Sequence, residues 1–228
     1  MATKKGRWMA LFPKFCCARA AATRLIRNAH LTHKPNAYDD YVACFVEGTN
    51  IQTNFGLVDV AEIRAGDNLV TLENGAQEVL CSGKSTVRGR GKLALICFEA
   101  GAMGNSQDLH SSPNHRVYVC NPMVRTLFRS ERCFGCGEIL VNGTTIKQLE
   151  TDEITYFHIL TAQNDVIFAN GAPTETLFLG NSSRPALSSA AREELETLFP
   201  DLLKTTSKMT AAFLFLRAHE AYLFGASV

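Results

Sequence analysis

A chain of 228 residues with 46% hydrophobic and 20% charged content has enough apolar mass for a sizeable core, which excludes a disordered polymer. Its net charge of +1 conceals an asymmetry: Lys4, Lys5, Arg7, Lys14, Arg19, Arg24, Arg27 and Lys34 all precede the first acid, Asp39, and the remainder of the chain is acidic. No apolar run approaches the roughly 18 residues needed to cross a bilayer, so no membrane span is expected.

Residues 1–41 read as a flexible basic arm. A targeting address or a nucleic-acid contact is the alternative, nucleic acid being the less favoured partner. The apolar stretch Trp8-Met9-Ala10-Leu11-Phe12 stops at Pro13-Lys14, which is too short for a secretory signal and leaves the cytoplasm as the default location. The cysteines at 16, 17, 44, 81, 97, 120, 133 and 136 are therefore expected to be reduced thiols.

From residue 42 to about 180 the pattern is one of short β-type runs separated by turns. Ile51-Gln52-Thr53 and Gly56-Leu57-Val58-Asp59-Val60 flank Asn54-Phe55 and predict a hairpin followed by a short turn at Ala61-Glu62-Ile63. Asn68-Leu69-Val70-Thr71-Leu72 runs into Asn74-Gly75, a strong hairpin signal. Further strands are expected at 93–98, 116–120, 139–141, 155–160 and 166–169. With Asn-Gly turns at 74, 142 and 170, this spacing argues for a folded-over all-β unit rather than βαβ repeats. After residue 180 the character changes. Ser188 or Ser189 can cap a helix through Phe199, and a second helical segment is expected from Met209 through Leu216 and beyond.

Two places offer chemistry. Cys44 follows Ala43 in "YVACFVEGTNIQT", and Ser112 and His115 stand three positions apart in "LHSSPNHRV". A thiol needs a proton acceptor to attack a carbonyl, and a leaving amine needs a proton donor, so Cys44 and His115 together would supply both. Cysteine is equally at home as a small buried hydrophobe, and Ser112 as a cap on the turn at Pro113. Cys133-Phe134-Gly135-Cys136 is a single CxxC; a structural zinc would need two more ligands, with Cys120, His110 or His115 as the available donors.

Taken together, "ACFVEGTNIQTNFGLVDVAEIRAGDNLVT", "SSPNHRVYV" and "IFANGAPTETLF" resemble, in order and spacing, the Hint (hedgehog/intein) self-processing domain family, and most closely its bacterial subgroup. The resemblance covers about residues 42–180 and implies an all-β Hint-type fold, preceded by the basic arm of 1–41 and followed by a helical extension over 181–228. It also implies an autoproteolytic activity in cis that needs no cofactor. Cys44 matches the nucleophile that attacks the carbonyl of Ala43 and turns the peptide bond into a thioester. His115 matches the histidine that strains the amide and protonates its nitrogen, and Ser112 stands where a threonine is usual.

This chain departs from the family in two ways. The His-Asn pair that completes splicing has no counterpart at Asn170-Gly171-Ala172-Pro173-Thr174-Glu175-Thr176, so an N-to-S acyl shift and thioester cleavage are expected without splicing. Where many members carry Asp and His, this chain has Phe157 and Asn164, which leaves His158 as the nearest ionisable group and a further candidate acid or base. The substrate implied is the protein's own N-terminal segment, with water or a small nucleophile as acceptor. Two other readings stand beside it: a catalytically decayed Hint-like binding or scaffold module, and a zinc-stapled β domain with a nucleic-acid-binding arm.

Overall fold

The computed structural model describes residues 43–119, 124–126, 130, 132–178, 211–216 and 220. All of them belong to one compact unit, Pro35–Val228. As expected, the architecture is mainly β.

The first strands follow their turn chemistry. After β1 (Phe45–Val46), β2 (Asn50–Thr53) and β3 (Gly56–Asp59) form the anticipated hairpin. The Thr53 hydroxyl closes its turn, accepting from the Phe55 N–H at 3.1 Å and donating to the Gly56 carbonyl at 2.8 Å. Asp59 then accepts from the Ala61 N–H at 2.8 Å and caps a single 3₁₀ turn over Val60–Glu62. β4 (Asn68–Val70) and β5 (Ala76–Glu78) form the second hairpin.

β6 (Cys81–Val87) pairs with β12 (Ile154–Leu160) along its full length. The sequence pattern does not announce β6, because Ser-Gly-Lys-Ser-Thr has no apolar alternation. The strand lies at a sheet edge and buries little. β7 (Leu95–Phe98), by contrast, is buried at all four positions, as its unbroken apolar run implies.

β8 (Leu109–Ser111), β9 (Arg116–Val119) and β10 (Cys133–Cys136) lead into α1 (Gly137–Leu140) and β11 (Ile146–Leu149). β13 (Val166–Ala169) and β14 (Ala172–Glu175) meet at Asn170-Gly171, where φ is 48° and 88°. Two successive positive φ angles are what a two-residue hairpin turn of the mirror-image type requires.

Three expectations need correction or a boundary. Residues 139–141 are not a strand: Ile139 and Leu140 lie in α1, whose first two N–H groups donate to the carbonyls of His115 (3.0 Å) and Pro113 (2.8 Å) and so anchor the turn after β10. The segment expected to be helical up to Leu216 instead contains β15 (Leu214–Phe215), paired in parallel with Cys133 and Phe134. Its alternating Phe-Leu-Phe-Leu suits a half-buried edge better than a helical face. The helix expected over Ser188–Phe199 lies outside the described residues.

The strands form a six-stranded sheet, in the order β11-β7-β8-β1-β12-β6, and a nine-stranded one, in the order β15-β10-β9-β14-β13-β2-β4-β5 with β3 alongside β2. The main core contains Phe45, Ile96, Phe98, Leu109 and Phe157 from the first sheet and Ile51, Leu69, Val117 and Ile167 from the second. A smaller cluster, Cys44, Leu95, Cys97, Ile154 and Tyr156, occupies the alternate positions of the first sheet and so its other face.

Candidate active site

Strand register assembles the site. Phe45 pairs with Phe157 on one side and with Ser111 on the other, so the preceding residue, Cys44, falls opposite both His158 and Ser112. Ser112, Cys44 and His158 therefore lie in one row across the sheet.

The contacts in this row converge on the Ala43–Cys44 peptide. His158 Nδ1 is 3.3 Å from Cys44 Sγ and 3.4 Å from the carbonyl oxygen of Ala43. The Cys44 N–H donates to Ser112 Oγ at 3.1 Å, and the Ser112 N–H donates to the Cys44 carbonyl at 3.0 Å. Ala43, Cys44, Ser112 and His158 are all buried. A thiol, an imidazole and the carbonyl that the thiol would attack thus share a space with little water.

His115 approaches from the opposite side. Its ring packs edge-on against Phe45, with centroids 4.3 Å apart, and Phe45 points into the main core while Cys44 points away from it. The two histidines therefore flank the Cys44 backbone on different faces of the sheet. Among the described residues, neither His115 ring nitrogen has a hydrogen-bond partner. Burial lowers its pKa to about 4, opposed in part by the backbone of Cys44 and Glu175 and reinforced by the charge of Arg116 and by His158. At neutral pH the ring is uncharged.

The position corresponding to the family's aspartate holds Phe157, which packs in the main core on the face away from the thiol. One residue further along, the ionisable group is His158, on the thiol's face. Asn164, in the place of the family's second histidine, is buried in a different network: its Nδ2 donates to the Thr176 carbonyl at 3.1 Å and to Glu175 Oε2 at 3.4 Å.

That network includes residues whose pairing no sequence reading had assigned. Glu175 is fully buried and meets Arg116, whose Nη1 lies 3.2 Å from Oε1 and whose backbone N–H donates to the same oxygen at 3.2 Å. Burial raises the Glu175 pKa, and Arg116 pulls it back. Both residues stand inside quoted stretches, Arg116 in "SPNHR" and Glu175 in "ANGAPTE", but linear spacing does not say that strands β9 and β14 bring them together.

Cys133 and Cys136 do not form a metal half-site. Three residues apart on one strand, they project to opposite faces, and the Cys133 thiol contacts the Val119 carbonyl at 3.7 Å. Burial raises the Cys136 pKa. Cys120 lies outside the described residues, and among those described no three His, Cys, Asp or Glu side chains gather as a metal site. No helix among them is long and apolar enough to cross a membrane.

Similar solved structures include the gp41-1 intein (18% identity, 59% of this chain and 98% of that one, TM-score 0.38). An intein-like domain from Clostridium thermocellum is 16% identical over 58% of this chain and 98% of that one, with a TM-score of 0.38. A DnaB intein from Synechocystis sp. PCC 6803 is 9% identical over 59% and 98%, with a TM-score of 0.41. No curated protein matches the chain. The sequence profile of the Hint domain matches residues 43–181, more than half of the chain, and the chain belongs to the Hint domain family.

Proposed function

We propose that the chain cleaves itself between Ala43 and Cys44 as a cysteine autoprotease acting in cis, stopping at thioester cleavage without splicing. Supporting this reading above all is the position of His158 Nδ1, within 3.5 Å of both the Cys44 sulfur and the Ala43 carbonyl oxygen. His158 takes the thiol proton, and the thiolate attacks the Ala43 carbonyl carbon. The resulting imidazolium lies beside the oxygen on which negative charge develops.

Collapse of the tetrahedral intermediate breaks the C–N bond and leaves the Ala43 acyl group on sulfur. The proton lost by sulfur ends on the Cys44 amine, so the shift conserves charge. Ser112 holds the departing N–H throughout. His115, uncharged at neutral pH, lends its own ring N–H to the departing nitrogen and is reprotonated from solvent, into which the His158 imidazolium releases the proton taken from sulfur.

Water or a small nucleophile then takes the acyl group from sulfur. This releases residues 1–43, the basic arm with its last link to the self-processing domain of 42–180. Intact mass tests the reading. Purified chain incubated with dithiothreitol is expected to split between Ala43 and Cys44, and the Cys44→Ala chain to remain whole. An unsubstituted chain that stays intact would favour the scaffold reading instead.

A further inference from the structure

The short strand β15 covers a charged pair on the nine-stranded sheet. Its pairing with β10 is brief, Leu214 to Cys133 and Phe215 to Phe134, and is extended by the Leu216 N–H, which donates to the Phe134 carbonyl at 2.7 Å. Before the strand, the Ala212 N–H donates to Asn164 Oδ1 at 3.1 Å. Its aromatic residues do the rest. Phe213 sits edge-on to Tyr118 and Phe134 at 5.4 and 5.5 Å, and Phe215 meets Phe178 at 5.7 Å. The Arg116 guanidinium lies 4.0 Å from the centre of the Phe215 ring. Leu214, between the two rings, is exposed.

What lies beneath β15 leads back to His115. Arg116 follows His115 directly, and the peptide joining them is pinned at both ends. The His115 carbonyl accepts from the Gly137 N–H at 3.0 Å, and the Arg116 N–H donates to Glu175 at 3.2 Å. Glu175 is wholly buried, and Asn164, which donates to it, also holds Ala212. A buried ion pair depends on exclusion of water and on complete hydrogen bonding for its geometry. Whatever occupies the β10 edge therefore acts on the peptide that carries the His115 ring.

We propose that the β10 edge, Asn164, Arg116 and the rings of Tyr118, Phe134 and Phe178 form a peptide-binding groove whose occupancy positions His115 through the Glu175–Arg116 pair. Its ligand is an extended segment with aromatic side chains at alternate positions, and residues 211–216 supply that ligand in cis. Main-chain bonds to an edge strand give hold, and pockets for alternate side chains give specificity. Only the link to cleavage rests on the self-processing reading; the groove and its coupling to His115 do not.

The test uses the full chain carrying Cys44→Ala, which removes the nucleophile. With Phe213→Ala and Phe215→Ala added, the amides of Ala212 and Leu216 are expected to lose tenfold or more of their hydrogen-exchange protection. The ring resonance of His115, assigned by His115→Gln, should shift. A synthetic peptide spanning residues 209–218 should return that resonance to its original position, and Phe55→Ala, at the exposed turn between β2 and β3, should leave everything unchanged.

In the chain that retains Cys44, the same two Phe→Ala substitutions should slow cleavage about tenfold and the peptide should restore it. An unmoved His115 resonance after release of the tail, or a peptide that restores nothing, overturns the proposal. If the unsubstituted chain does not cleave at all, the self-processing reading falls, while the exchange and resonance measurements still decide the groove. If the doubly substituted chain does not fold, the single substitution Phe215→Ala, which removes the ring over Arg116, is read in the same way.

Discussion

Two polar rows cross this molecule, and they are built to opposite specifications. On the six-stranded sheet, Ser112, Cys44 and His158 bring a hydroxyl, a thiol and an imidazole within bonding distance of a single peptide. On the nine-stranded sheet, Arg116 and Glu175 form a salt bridge, with the Phe215 ring over the guanidinium. The first row keeps its hydrogen bonds directed at atoms that would react. The second spends its hydrogen bonds on itself and on the backbone, which is what a buried ion pair must do to survive desolvation. His115 sits between them, its ring beside the Cys44 backbone and its peptide held by Glu175. The residues proposed to react and the buried ion pair thus belong to different sheets.

Substitutions should separate the two rows, and the largest effect belongs to the first. Cys44→Ala removes the nucleophile, and self-cleavage measured by intact mass is expected to vanish while stability changes by no more than about 1 kcal/mol. His158→Phe keeps a ring but loses the proton acceptor, and cleavage should slow by roughly 10²–10⁴-fold. If His158→Phe cleaves at the original rate, the contact between thiol and imidazole is packing alone.

The second row should answer in stability. Glu175→Ala strands the Arg116 charge beneath Phe215, and urea denaturation is expected to show a loss of about 3–5 kcal/mol. Glu175→Gln, which keeps an acceptor for the Arg116 N–H, should cost less.

His115 provides a pH signature that joins the rows. Its pKa is lowered from 6.5 to about 4 by burial, so the unfolded chain binds a proton at higher pH than the folded one does. Stability from this group is therefore complete above pH 6.5, declines as the pH falls toward 4, and levels off below that. The total is at most about 3 kcal/mol. The difference between the original chain and His115→Phe, which cancels the carboxylates common to both, should trace this window; a flat difference would mean that the ring is not desolvated.

The smallest effect is expected at Ser112. Ser112→Ala leaves the Cys44 N–H without its acceptor, worth about 1 kcal/mol, and cleavage should slow about tenfold or less.

Much of the fold was legible because it is written in local chemistry. Asn74-Gly75 and Asn170-Gly171 mark turns whose positive φ angles few other residues tolerate, and the apolar run at 95–98 marks a strand buried on both faces. β6 was not legible, since an edge strand of Ser, Gly, Lys and Thr is stabilised by pairing with β12 rather than by burial of its own side chains. Residues 214–215 were misread as helix because a short apolar run suits either state until a partner strand is known.

The same division runs through the site. Cys44, Ser112 and His115 could be named from the sequence because each stands in a short stretch whose residues are neighbours along the chain. That stretch also determined the capacity for chemistry: one thiol behind a small residue, one hydroxyl and imidazoles within reach of folding. Tertiary structure alone decided that His158, 114 residues from Cys44, is the imidazole that meets the sulfur, and that His115 lies on the other face. The physical reason is register. In a sheet, a shift of one residue sends a side chain to the opposite face, and which residue stands opposite Cys44 depends on three strands pairing at once, which no local preference encodes.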